Sequence, residues 1–135
     1  MIAVLRIVGQ AGIRTDVEET LKRLCMHRKL VCTFVNQDDA KFKMVYSIRD
    51  FIAYGEISDE LAQKIIESRG QTLDGKPVKD AAKVLEQIKK GEWKIKKFFR
   101  MHPPRGGFKK TTKLASPKGI LGHNKEISKL LERML

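Results

Sequence analysis

Nine cations lie between Lys94 and Lys118 with no acid among them: Lys94, Lys96, Lys97, Arg100, Arg105, Lys109, Lys110, Lys113 and Lys118. Like charges at this density favour a polyanion partner over a merely solvated face. Contact with a nucleic acid needs cations that reach successive phosphates, backbone free of bulk, and planar groups for bases. Residues 98–113 contain all three. Arg100, Arg105, Lys109, Lys110 and Lys113 are the cations, and Gly106 and Gly107 remove side-chain bulk. Phe98, Phe99, His102 and Phe108 are candidates for stacking. Pro103-Pro104 stiffens the chain, which lowers the cost of ordering it. Adjacent strand residues face opposite ways, so one of Phe98 and Phe99 is expected in the core.

Catalytic chemistry has no comparable cluster. A catalytic site needs an acid, base or nucleophile that converge, and His27, His102 and His123 are scattered along the chain. Asp16, Glu18, Glu19, Asp38, Asp39, Asp59 and Glu60 fall at expected helix starts, where the helix dipole accounts for them. Gly9-Gln-Ala-Gly12 has the outline of a phosphate loop but lacks the Gly-Lys-Ser/Thr ending. Arg14, beside a helix N-terminus, is the feature there that favours an anion. Cys25 and Cys32 flank His27, but a structural metal site needs about four ligands at tighter spacings. Reduced thiols are expected, with no metal, no cofactor and no small-molecule substrate.

The charge is uneven along the 135 residues. The formal net charge is +12; residues 1–93 carry 16 Lys/Arg against 14 Asp/Glu, and residues 94–135 carry 12 against 2. The expected organisation is an α+β core domain with two added helices at 1–93, followed at 94–135 by a basic extension that ends in a helix. No run of about 18 apolar residues could form a membrane helix. The opening MIAVLRIVG has no basic residue before its apolar stretch and no small-residue cleavage site after it, so it fails as a signal peptide and reads as a strand. A membrane surface would call for a basic amphipathic helix; the densest basic stretch contains Pro and Gly instead. Nucleic acid therefore fits better than lipid, with RNA and DNA both open.

The elements that must position these residues follow from periodicity. Ile2–Val8 reads as a buried strand, Leu30–Val35 as a second and Phe51–Tyr54 as a third. Thr15 to Glu18 has capping-box spacing ahead of the helical stripe Val17, Leu21, Leu24. Asp38 or Asp39 caps a short helix with Phe42, Val45 and Tyr46 inward. Ser58 starts a helix carrying Leu61, Ile65 and Ile66, which Gly70 ends. Pro77 sits in the first turn of the next, with Val78, Ala81, Leu85 and Ile88 apolar. Lys94–Met101 is a further strand at the sheet edge, and the chain from His102 to Asn124 reads as loop, with 102–118 ordered on a partner. A last helix begins near Asn124. The order predicts an α+β sandwich with helices on one sheet face.

Several stretches resemble one family. IAVLRIVGQAGIRTDVEETLKRL, KFKMVYSIRDFIAYGEIS, FFRMHPPRGGFKKTTK and GHNKEISKLLERML are similar to the archaeal and eukaryotic form of ribosomal protein L-thirty, called L-seven in eukaryotes. HPPRGG followed by a basic, Thr-containing stretch is the most specific of these signals. The compact start, without a long basic arm, points to the archaeal form. The resemblance implies a ferredoxin-like core, a structural role in the cytoplasmic large ribosomal subunit, no catalysis and no cofactor. It implies contact with the large ribosomal RNA, proximity to the small five-S RNA, and neighbouring ribosomal proteins. By motif, the RNA contacts are Arg14, Arg100, His102, Arg105, Gly106, Gly107, Lys109, Lys110, Lys113, Lys118, His123 and Asn124. An RNA-processing or ligand-binding regulatory protein on the same scaffold is the alternative, since fold alone does not set function.

Overall fold

Every residue of the strand Ile2–Arg6 (β1) is buried, and the strand feeds two cores. Ala3 and Leu5 enter one, while Ile2 and Val4 enter the other, as the two-residue period of a strand dictates. A strand buried on both faces needs cover on both, and this requirement shapes the architecture.

The computed structural model describes residues 1–36, 40–78 and 80–135. After β1 come α1 (Thr15–Arg23), β2 (Val31–Val35), α2 (Ala40–Ser47), β3 (Ile52–Glu56), α3 (Asp59–Arg69) and α4 (Ala81–Lys89). The chain continues with β4 (Phe99–Arg100), β5 (Thr111–Ala115), β6 (Gly119–His123) and α5 (Ile127–Glu132). The six strands form one sheet in the order β4-β2-β1-β3-β6-β5. β1 runs antiparallel to β2 and β3, pairing Ile2 with Val35 and with Glu56. β4 borders β2 through Cys32↔Phe99, and β6 runs parallel to β3 through Ala53↔Gly122.

The expected ferredoxin-like α+β core is present. Helices α1 and α2 cover one face, where Leu21, Leu24, Val45 and Ile48 pack on Ile2, Val4 and Tyr54. Beyond the expectation, α3, α4 and α5 cover the opposite face through Ile65, Ile66, Leu85, Ile88, Ile127 and Leu131. That second core also takes in Ile95, Phe99, Met101, Ile120 and Leu121. The charge boundary near residue 93 is therefore not a boundary of the core.

Local chemistry explains most ends. Ser58 caps α3 by accepting from the Leu61 N–H. α1 ends with Cys25 at φ 58°, its N–H on the Lys22 carbonyl and the Met26 N–H on that of Leu21, the paired bonds of a Schellman motif. The Thr15–Glu18 capping box does not form: Arg14 takes the cap position without a side-chain cap bond, and Thr15 is already helical.

Other expectations shift. The first strand ends at Arg6, two residues early, and the third runs two residues further, to Glu56. Tyr46 is exposed, not inward. Pro77 bridges to Gln71 in a turn, and its helix begins only at Ala81. The 94–101 strand shrinks to Phe99–Arg100. Two strands, β5 and β6, stand where loop was expected, and the last helix starts at Ile127. The Asp38/Asp39 cap lies outside the described residues.

One close approach holds α5 on the sheet. A Cβ at Gly55 in β3 would run into the Asn124 backbone carbonyl and lie 3.0 Å from Ile127 Cγ2. Gly55→Ala must push the start of α5 off the strand, with an expected loss of about 1–3 kcal/mol. Gly9→Ala meets no atom within 4 Å and should change stability by less than about 0.5 kcal/mol. Denaturant unfolding midpoints of the two variants check the contrast.

Candidate nucleic-acid interface

Residues 102–107 are tied to the end of α5. The His102 N–H donates to the Met134 carbonyl (3.0 Å) and the Arg105 N–H to that of Arg133 (2.9 Å). Arg133 returns the contact: its Nε donates to the Arg105 carbonyl at 3.1 Å, and its Nη2 donates to the Gly107 carbonyl. Gly106 and Gly107 both take positive φ, 75° and 71°, a conformation that costs an L side chain about 1–2 kcal/mol. The two glycines let the chain turn back after Pro104, whose carbonyl accepts from the Gly107 N–H.

Lys109 and Lys110, which follow this turn, lie on a cleft of about 520 Å³. Lys109, Lys110, Lys129 and Arg133 line it with Ile120, Asn124 and Leu130. Two carboxylates, Glu126 and Glu132, also line it, so the fold brings acids to a stretch that has none in sequence. Lys110 Nζ lies 2.9 Å from Glu126 Oε2. That hydrogen bond and the lysine's charge hold the Glu126 carboxyl below its usual range. Both partners are exposed, so the pair adds little stability.

Of the twelve residues expected at the interface, eleven are exposed: Arg14, Arg100, His102, Arg105, Gly106, Gly107, Lys109, Lys110, Lys113, Lys118 and His123. Asn124 is buried. Its Oδ1 accepts from the Glu126 N–H at 2.9 Å and its N–H donates to the Tyr54 carbonyl at 2.8 Å, so it positions the start of α5. The cleft gathers Lys109, Lys110 and Asn124. Arg100 and Lys113 lie on β4 and β5, the two opposite edges of the sheet. Five strand spacings separate those edges, roughly 24 Å, so one phosphate cannot touch both. Lys118 lies in the turn between β5 and β6, and the His123 ring meets Tyr54 edge-on at 5.7 Å. Arg14 projects from the start of α1, 3.2 Å from Asp16.

Three residues escaped the sequence reading. Lys129 on α5 and Arg133 at its C-cap, four apart, line the cleft; their spacing opposite the apolar stripe was the available signal. Arg6, a lone charge in an apolar strand, was the third. It is buried and donates to the carbonyls of Val8 (3.0 Å), Met26 (2.7 Å) and Gly9 (2.8 Å). Burial lowers its pKa, and the three carbonyls compensate the charge. Arg6 thus fixes the turn that leads to Arg14.

Nucleophilic or metal chemistry finds little to use. Burial pushes the Cys32 thiol up to about 12, so it stays protonated at neutral pH. Among the described residues, no three His, Cys, Asp or Glu gather as a metal site.

Comparison with known proteins decides the family. The large ribosomal subunit protein uL30 of Staphylothermus marinus is 35% identical, with all of this chain and 98% of that protein aligned. The uL30 protein of Korarchaeum cryptofilum is 32% identical over all of this chain and 95% of its own length. The chain belongs to the uL30 family. A uL30 protein from Methanothrix thermoacetophila, 28% identical, aligns over 99% of both chains. No protein-family model matches the chain. The uL30 relatives named here are archaeal, in line with the archaeal form read from the sequence.

The Lys110–Glu126 pair makes a direct prediction. Glu126→Gln frees Lys110, so affinity for a large-subunit RNA fragment should rise and the log–log salt slope should steepen by roughly 0.7. A salt titration of binding, variant against wild type, reads this; an unchanged slope would place Lys110 off the RNA.

Proposed function

We propose that this chain is a structural constituent of the large subunit of the cytoplasmic ribosome, that it binds and positions ribosomal RNA, and that it is not an enzyme. The observation that carries this reading is the cleft lined by Lys109, Lys110, Lys129 and Arg133 on a chain that aligns end to end with uL30 proteins. Phosphate neutralisation supplies affinity, and the fixed placement of the cations against RNA shape supplies selectivity. The alternative, an RNA-processing or ligand-binding regulator, is not favoured by the three relatives above, each named as a ribosomal subunit protein.

Within this reading residues 94–135 carry the principal RNA surface. Arg100, His102, Arg105, Gly106, Gly107, Lys109, Lys110, Lys113, Lys118 and His123 meet RNA, joined by Lys129 and Arg133; Arg14 makes a separate contact. Asn124 acts by holding α5. Cations at both edges of the sheet suit a protein that bridges RNA segments, and the small five-S RNA and adjoining ribosomal proteins are the further neighbours we propose.

Sedimentation of lysate from the source cells tests the assignment. The protein should travel with large-subunit particles in low salt and leave them in high salt. Recovery in the slow fractions at every salt concentration would overturn it.

A further inference from the structure

A second cleft, of about 350 Å³, lies between the C-terminal end of α3, the 71–77 turn and β4. It has no part in the α5 cleft; the two share no lining residue. Two arginines, Arg69 and Arg100, line it beside Phe98, and among the described residues no carboxylate does. Asp74 sits on the same turn but outside the lining.

Three observations point to an anionic, planar ligand. Arg69 lines the cleft and is held in place by donating through Nη2 to the main-chain oxygen of Leu135, the last residue of the sequence, at 2.7 Å. Arg100 stands 5.9 Å from the centroid of the half-buried Phe98 ring, so a cation and an aromatic face occur together. The rim is open at Gly75, whose φ is 83°, and Lys96 Nζ, bonded to Gln71 Oε1 at 3.2 Å, adds a third positive group.

We infer that this cleft holds one nucleotide of a single-stranded RNA segment, its phosphate on Arg69 and Arg100 and its base against Phe98. The inference rests on the ribosomal-RNA reading above. Guanidinium groups offer planar donors that match phosphate oxygens, and an aromatic ring accepts any base because every base has a π face. An acidic protein segment would use the cations but gain nothing from the ring.

The test uses the full chain with arginine side chains labelled with nitrogen-15. The Arg69 Nε–H resonance is followed by NMR while a short single-stranded RNA or inorganic phosphate is added. Binding of a large-subunit RNA fragment is measured in parallel for wild type, Phe98→Leu, Arg100→Gln and, in the other cleft, Lys129→Gln. RNA should move the Arg69 resonance. Phe98→Leu, which keeps an apolar side chain in place, should weaken the oligonucleotide about fivefold or more and leave inorganic phosphate unaffected. Arg100→Gln should weaken both ligands. If the fragment binds and Lys129→Gln weakens it while Arg69 stays unmoved, this inference is overturned and the ribosomal reading stands. If the ring substitution has no effect, the nucleotide assignment is overturned in favour of a phosphate-only site. If wild type does not bind the fragment, the ribosomal-RNA reading fails and takes this one with it.

Discussion

The backbone of Asn124 lies against β3 at Gly55 with no room for a side chain between them. From that contact α5 runs over the sheet and sends Ile127, Leu130, Leu131 and Met134 into the core shared with Ala3 and Leu5. The far end of α5 carries Arg133, which holds the carbonyls of Arg105 and Gly107. A chain of packing thus leads from the middle of the sheet to the glycine turn, and the turn aims Lys109 and Lys110 into their cleft. Preorganised cations lose less freedom on binding than cations on a loose tail, so more of the phosphate attraction appears as affinity.

The distribution of charge follows a second rule. In the first part of the chain the cations meet acids: Lys22 with Glu18 at 2.9 Å, Arg23 with Glu19 at 4.0 Å, Lys83 with Asp80 at 3.6 Å and Lys89 with Asp59 at 2.6 Å. Such exposed pairs contribute little to stability; their effect is to leave this surface nearly neutral. Beyond residue 93, among the described residues, the ion pairs of Lys and Arg with carboxylates within the extension reduce to Lys110 with Glu126. The positive field therefore concentrates on the surface anchored by α5, where a polyanion would be steered.

Elements with strong periodicity were legible from the sequence. β1, β2, α3 and the α4 stripe repeat apolar residues at the spacing of their secondary structure, and Ser58 caps α3 as expected. The prediction that one of Phe98 and Phe99 is core also holds: Phe99 is fully buried, 4.8 Å from the Phe34 ring. What escaped lacks a local signal. β5 is exposed along most of its length, so alternation cannot announce it, and β6 is short, with glycine at two of its five positions. The cover on the second sheet face and the acids opposite Lys110 are tertiary facts. The concentration of charge in the basic run was legible, but its division between two clefts and two sheet edges was not. Asn124 has the composition of a contact residue, and only the close approach at Gly55 reveals it as a buried one.

The central claim is that RNA meets a surface made rigid by α5 and its anchored turn. Acylation of lysines on the intact protein, with and without a large-subunit RNA fragment, reads each side chain by mass spectrometry. Lys109, Lys113, Lys118 and Lys129 should be protected by RNA, while Lys22 on α1 and Lys64 on α3 should react as they do in the free protein. Protection spread evenly over all six lysines, or confined to Lys22 and Lys64, would contradict the account.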